Sequence, residues 1–434
     1  MSHRLVGRNR PQQVIEALHV ASESLPAAQR QARFARMAAS SRRFFDATNH
    51  LYWQDVWPEW RLALFGGWPE TQTWLHGDAR LHSFAAVGHA GQPIRYGLTG
   101  VDRALIGDYQ LDLWRLAASL VLNIREHGEL SSKALDRALW ALAQGYRERL
   151  DALREGQSAK GSELQNTKGP LKAFLGKVAD KQHPGRALDK WTELTEQQGR
   201  RFVPQPNKLA NLPVDVASRL KRLIENDYPQ TLPKPVKEGD EGHFRVKDTA
   251  RRLNTLGVEH YYALLEGGAR GEHDDVIIEV VEQTPPPAFH LLSRADQQGW
   301  RKLFPNEALR HAAAFHALAP HADPYLGWLT LNDRVFAVRR VAGFEKRLPT
   351  HKLKSAKTYR RLAHQWGGLL AEHHVQAAAA LHREPARFVE AVCRRIDGRE
   401  EAFCESVATF ATRYADCVEQ DYRLFTEHFM GGAS

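Results

Sequence analysis

An α+β fold, with a small antiparallel sheet and a larger helical mass, is what the sequence predicts. Three observations carry that prediction. Apolar residues recur at helical spacing through the first 150 residues and again from Ser355 to the C-terminus. Between these parts, Phe244 to about Val341 holds short runs rich in β-branched and aromatic residues, bounded by proline and glycine. No repeat of fixed period interrupts the order of helical, strand-rich, then helical.

Residues 1–154 form the first unit expected, a helical region. Gln12 to about Arg61 reads as helix, with Met37, Phe44, Phe45, Tyr52, Trp53 and Trp57 as apolar anchors. Trp74 to Asn123 is where chemistry is expected. A His-Gly-Asp turn (His76, Gly77, Asp78) is followed by RYGLTGVD, a short strand or turn that carries Asp102. Then comes QLDLWRLAASLVLN, a helix with Leu113, Leu116, Ala117, Leu120 and Val121 on one face and Asp112 at its start. Several carboxylates brought together are how a magnesium–phosphate site is made. The plainer reading is a buried helix behind a polar loop. Ser131 or Ser132 caps the next helix, which runs to Leu153.

Residues 155–243 form a loop-rich helical connection. Its stretch GQSAKGSELQNTKGPLK lacks the glycine and lysine spacing of a P-loop, and the prolines of PQTLPKPVKEGDEG forbid a regular helix. Residues 244–345 form the strand-bearing lobe. YYALLEG and DVIIEVVEQ pair antiparallel across the loop GARGEHD, and TPPPAF ends the second run. NEALRHAAAFHALA follows as a helix and RVFAVRRVAG as one more strand. Residues 346–434 form a C-terminal helical region.

Whole-chain properties narrow the function classes. At 434 residues, with 43% hydrophobic and 26% charged residues, the chain is ordinary globular material for two or three units. A net charge of +9 permits an anionic ligand, but no basic run with interleaved aromatics marks a nucleic-acid surface. Cys393, Cys404 and Cys417 are odd in number and fit no zinc signature, so free buried thiols in a reducing compartment are expected. No stretch of eighteen apolar residues and no apolar leader occurs, from which a cytoplasmic protein without a membrane partner is expected. His364, His373 and His374 lack a glutamate at metalloprotease spacing, which disfavours a zinc site.

Six segments carry a resemblance: ARMAASSRRFFDATNHLYWQDV, WLHGDARLHSF, GDYQLDLWRLAASLVL, YYALLEG, PYLGW and FATRYADCVEQDY. Together they resemble the bacterial family catalogued as domain of unknown function 2252, from about Arg33 to Phe425. That family is similar to protein-kinase-like and aminoglycoside-phosphotransferase-like enzymes, with the catalytic-loop motif placed before the glycine loop and lysine strand. The resemblance implies a protein-kinase-like fold with a small sheet lobe and a larger helical lobe. It implies Asp78 and His76 as catalytic-loop residues, Asp102, Asp112 and Ser83 as metal-side positions, and Gly257 as the remnant of the glycine loop. Phosphoryl transfer needs an aspartate near the attacking hydroxyl, magnesium ligands and a positive clamp on the phosphates.

Measured against that pattern, the chain departs at several places. Ser83 stands where the pattern asks for asparagine, and Gly100 where it asks for a metal aspartate. Arg103 sets a cation beside Asp102. Asp46 replaces an arginine. Val281 takes the place of the phosphate-binding lysine, and LNTLGVEH keeps Gly257 alone. The preferred expectation is therefore a kinase-like pseudoenzyme that acts by binding or regulation, with another protein such as an active relative as partner. His76, Asp78, Asp102 and Asp112 would then be structural, Asp112 bonding to the loop ahead of its helix. The alternative is an active transferase using ATP and magnesium on a small molecule or protein, with Lys346 or a nearby arginine supplying the missing charge. A basic nucleic-acid-associated module is the third reading.

Overall fold

The computed structural model describes residues 9–88, 93–128, 130–158, 161–181, 186–196, 199–233, 244–253, 257–267, 274–319, 323–384 and 386–431. Most of GARGEHD, the second half of PQTLPKPVKEGDEG and three residues of LNTLGVEH lie outside them.

The chain opens with five helices, α1 (Arg10–Val20), α2 (Ala27–Met37), α3 (Ser41–Ala47), α4 (Asn49–Val56) and α5 (Leu62–Phe65). Ser40 starts α3 by accepting a hydrogen bond from Arg43 N. Four short strands follow: β1 (Gln72–Leu75), β2 (Phe84–Gly88), β3 (Arg95–Leu98) and β4 (Leu105–Asp108). β1 pairs with β4, and β2 with β3, all antiparallel. The first unit is thus not purely helical. Its strands are four or five residues of mixed polarity, too short for alternation to betray them.

Next come α6 (Gln110–His127) and α7 (Ser132–Arg154), the latter capped by Ser131 as the sequence predicts. α6 is expected to bury one face, but every residue from Gln110 to Ile124 is buried. A helix surrounded on all sides is the centre of a core, and its few polar residues must find partners inside.

The segment from 155 to 243 holds α8 (Gly169–Ala179), α9 (Arg186–Trp191), the hairpin β5 (Thr192–Thr195) and β6 (Gly199–Phe202), then β7 (Leu209–Asn211) and α10 (Val214–Asn226). It is not a separate connection. β7 pairs with β8 (Val246–Arg252), and α10 packs Leu220 and Ile224 against the sheet that β8 belongs to. The boundary of the strand-bearing lobe therefore lies upstream of residue 244. β9 (His260–Leu265) and β10 (Val276–Glu282) pair as expected from YYALLEG and DVIIEVVEQ. α11 (Arg294–Leu303) and α12 (Glu307–Leu318) intervene before β11 (Gly327–Leu331) and β12 (Arg334–Arg340). The antiparallel sheet runs in the order β11-β12-β10-β9-β8-β7.

β13 (Phe344–Arg347) leaves this lobe and joins the β2–β3 hairpin, so the link between lobes is itself a strand. α13 (Ala356–Ala378), α14 (Ala386–Ile396) and α15 (Glu400–Phe425) complete the helical body. They share one apolar core with the N-terminal helices, α6, α7 and α8, so the described residues of these two regions, 1–154 and 346–434, form a single unit. α7 and α13 lie unusually close because Gly145 and Gly367 face each other's backbone: a Cβ on either would meet a carbonyl oxygen at 2.0 Å. Arg10 ties α1 to the rest through Asp55 and Asp421, each at 2.6 Å. The three cysteines are free and buried, and burial pushes Cys393 up to about 12. Among the described residues no helix is long and apolar enough to cross a membrane.

Candidate functional site

The His-Gly-Asp turn leaves the end of β1 and is held from behind. Asp112, in the first turn of α6, accepts hydrogen bonds from His76 N at 2.6 Å and Gly77 N at 3.0 Å. Carboxylate-to-amide bonds of this kind are about twice as strong as neutral ones. Gly77 adopts φ +76°, and a Cβ there would meet Arg103 O at 2.0 Å, so only glycine fits. Asp78 N donates to His76 Nδ1 at 3.2 Å, which requires the proton on Nε2, and Nε2 donates to Thr99 O at 2.9 Å. The imidazole is locked as a bridge between the turn and the β2–β3 hairpin.

Asp78 itself is enclosed by cations. Its Oδ1 lies 2.5 Å from Arg115 Nη2 and accepts from Arg115 Nε at 2.7 Å and Asn49 Nδ2 at 3.2 Å. Its Oδ2 accepts from Arg80 Nη2 at 2.9 Å. Arg115 is fully buried, with its guanidinium over the rings of Phe45 (4.3 Å) and Tyr52 (4.9 Å). Burial alone would raise the Asp78 pKa, but Arg115, Arg80 and Arg103 outweigh it and hold the carboxyl below its ordinary range. Asp46 takes part: it lies 2.6 Å from the same Arg80 and 3.2 Å from Arg42. The anion at position 46 thus anchors the arginine that neutralises Asp78. Ser83 Oγ donates to Asp78 O at 2.9 Å and accepts from Arg80 N at 3.3 Å, which closes the turn over Asp78.

Asp102 sits just past β3, after Gly100 in the left-handed region (φ +77°). It faces the strand-bearing lobe. Its Oδ1 accepts from Gln283 Nε2 at 3.1 Å and lies 3.5 Å from His311 Nε2 on α12. Burial would raise its pKa, yet Arg339, His311 and Gln283 hold it well below the carboxylate range. Arg310, also on α12 and fully buried, donates to the carbonyls of Ala104 and Asp102 at 2.9 Å. The segment carrying Asp102 is therefore latched to the upper lobe. Beside it, Glu279 pairs with Arg339 at 2.6 Å and His260 at 3.1 Å. Burial is overcome there too, and Glu279 is held down at about 2.

A cleft of about 2160 Å³ separates the two lobes. His76, Asp78, Ser83, Asp102, Gly257 and Val281 all line it. Two of the predicted site residues do not. Asp112 is 1% exposed and lies behind the turn. Lys346 is exposed on β13 and not among the lining residues, although its neighbour Arg347 is. Strand alternation explains this: in β13, as in any strand, one residue's shift moves a side chain to the opposite face. Gly257 has φ +80°, and a Cβ would meet Leu25 Cδ2 at 2.2 Å, so its loop is packed on the N-terminal helices.

The three histidines near the C-terminus turn to different partners. His373 accepts from Leu98 N at 3.1 Å and donates from Nδ1 to Leu318 O at 3.0 Å. His374 meets Tyr146 Oη at 2.8 Å, and His364 pairs with Glu148 on the surface. Among the described residues no group of three or more His, Cys, Asp and Glu is placed to hold a metal ion. Sequence reasoning missed Arg115, Asn49, His50 and Arg310. Arg115 alone left a signal, as a cation three residues after Asp112 in an apolar helix.

Fold and site together define a two-lobed α+β protein with a cation-rich cleft between a helical body and an antiparallel sheet. The chain belongs to the family described as uncharacterized protein conserved in bacteria (DUF2252), whose model matches residues 26–428. No curated protein and no solved structure matches it.

Proposed function

We propose that this chain is a kinase-like pseudoenzyme that acts through what its cleft binds, without transferring phosphate. The kinase-like part of the reading is supported by topology. In the sheet, β8, β9 and β10 form a meander, a helical crossover follows, and β12 then lies beside β10 with β11 outside it. The third strand of such a lobe is where a kinase carries its phosphate-binding lysine, and its next helix carries the partner glutamate. Here that strand offers Val281 to the cleft, and α12, the second helix after it, offers His311 to Asp102.

The observation that carries the pseudoenzyme reading is the state of Asp78. Both of its oxygens are committed to guanidinium groups, with Arg115 fixed and buried. A general base must reach the proton it removes, and a carboxylate whose basicity is suppressed by three arginines is poorly matched to that task. A magnesium ion held partly by substrate phosphates uses one or two protein carboxylates. Asp112 is spent on amides, and Asp102 stands among Arg103, Arg310 and Arg339, whose charge opposes a dication.

The test is release or transfer of the γ-phosphate from ATP by the full chain with magnesium or manganese. None above a buffer blank is expected. Turnover that disappears in Asp78→Asn while the variant keeps its circular dichroism spectrum would show an active transferase instead.

A further inference from the structure

The cleft holds more positive charge than its own carboxylates neutralise, and the surplus is concentrated at one place. Asp46 is taken by Arg42 and Arg80, Asp55 by Arg10, Glu126 by Arg42, and Glu282 lies near Arg334. Glu59 pairs with Arg61, and Glu16 is an exposed residue of α1. Asp78 and Asp102 are engaged as described above. Left over are Arg33 and Arg103, together with Arg43, exposed on α3, and Arg252, which donates to the carbonyls of Lys208 and Leu253 and lies over the Trp191 ring. Arg33 donates only to the carbonyls of Ala21 and Ala47, at 3.1 and 3.3 Å. The Arg103 side chain makes no hydrogen bond or close ion pair among the described residues, although it feels the charges of Asp78 and Asp102, and both side chains line the cleft. The two guanidinium groups feel each other: burial first, then Arg103, lowers the pKa of Arg33.

His50, on α4, lines the cleft beside them. Its Nε2 is buried without a partner. Burial, Arg33, Arg103 and Arg115 together push its pKa down to about 4. Behind it, Arg115 Nη1 and Arg80 Nε are also buried and unpartnered. Buried donors are ordinarily satisfied, and buried charge is ordinarily paired. A site with spare guanidinium and imidazole donors, where every lining carboxylate but the exposed Glu16 is engaged, is built for an anion.

We propose that Arg33, His50 and Arg103 form a subsite that takes the phosphate group of a small phosphorylated molecule without a divalent cation. A phosphate dianion matches two guanidinium charges, and its oxygens can accept from both forks and from the imidazole at once. The remaining cleft, lined by Leu25, Val258, Val281 and Leu291, leaves room for the organic part of such a molecule. The positive charge comes from the N-terminal helices and the Asp102 loop, not from a lysine on β10. This deepens the proposed function, on which its biological meaning rests, by naming the class of ligand.

The experiment is calorimetric titration of the full chain with inorganic pyrophosphate in EDTA, with succinate as a dicarboxylate comparison. Binding that persists in EDTA and exceeds that of succinate is expected. Arg103→Gln removes no hydrogen bond or close ion pair, only the charge felt by Asp78 and Asp102, and should weaken binding at least about tenfold, the usual loss for a hydrogen bond to a charged group. Arg33→Gln should do the same. Arg360→Gln, on the exposed face of α13, should leave binding unchanged. No binding at millimolar pyrophosphate, a strict need for magnesium, a preference for succinate, or equal loss in Arg360→Gln would each overturn the subsite. Phosphate transfer from ATP together with EDTA-resistant binding would refute the pseudoenzyme reading and leave the subsite standing. No transfer and no binding would refute the subsite alone.

Discussion

The two walls of the cleft treat charge differently. The lower wall, around Asp78 and Asp112, is a closed lattice in which every carboxylate oxygen faces an amide or a guanidinium. The upper wall, on β10, puts Val281 at the cleft and sets Glu279 one row away, paired with Arg339 and His260. The lower wall keeps the His-Gly-Asp pattern, while the upper wall presents an apolar side chain at Val281. The comparison teaches that a His-Gly-Asp pattern can persist because the fold needs it. Asp112 holds the turn, Gly77 is required by the approach of Arg103, and Asp78 neutralises a buried arginine.

The lower wall should break most severely when its buried acceptor is removed. Asp112→Ala strips two amides of their partner and is expected to cost about 4 kcal/mol, seen as a lower urea midpoint. A loss under about 1 kcal/mol would mean the turn is held by something else. Asp78→Asn should cost roughly 3 kcal/mol, because Arg115 is left buried with its countercharge gone. Arg115→Met in the same chain should recover most of that loss, since replacing a buried pair by apolar groups is often close to neutral. A double variant no better than Asp78→Asn alone would show that Arg115 is not what Asp78 serves.

How much of this was legible in the sequence differs between the walls in the same way. The helices, the β9–β10 pair and the cap at Ser131 follow local rules, so α+β could be read directly. The strands β1 to β4 could not, being only four or five residues long with no clean alternation. The His-Gly-Asp turn and Asp102 were found by pattern, and the bonds of Asp112 to that turn were anticipated from its place at a helix start. Arg33, His50 and Arg103 come from α2, α4 and the β3–β4 loop, and nothing local announces that they meet. Lys346 was named as a substitute cation, but only the register of β13 against β2 decides which of Lys346 and Arg347 reaches the cleft.

A smaller effect should appear on titration. His373 is buried and pushed down to about 4, chiefly by burial, with Leu98 N–H pointing at its bare Nε2. An unfolded histidine titrates near 6.5, so between about 6.5 and 4 the unfolded chain binds the extra proton. Stability from this group is complete above 6.5 and falls as pH drops toward 4. His50 and His82, also pushed down to about 4 by burial, act in the same direction. Asp108 and Asp323, raised by burial, oppose them, which is why slopes must be compared between proteins. In His373→Gln the fall of the urea midpoint across this window should be shallower, by on the order of 1–2 kcal/mol in total. An unchanged slope would mean His373 already titrates normally in the folded chain.

The smallest effect expected is also the sharpest contrast between the walls. Val281→Lys supplies the cation that the proposed kinase-like reading finds missing from β10, at a position that is only half-buried and faces the cleft. The new side chain can keep its stem on the sheet and its head in the cleft, so a stability change within about 1 kcal/mol is expected. It should not bring phosphate transfer from ATP. The lysine would enter a cleft that already has spare positive charge at Arg33 and Arg103, while the carboxylates a metal needs stay bound to amides and arginines. Positive charge is not what this cleft lacks. Gain of magnesium-dependent transfer in Val281→Lys would show the opposite: that the lower wall is still competent, and that the missing lysine alone had silenced it.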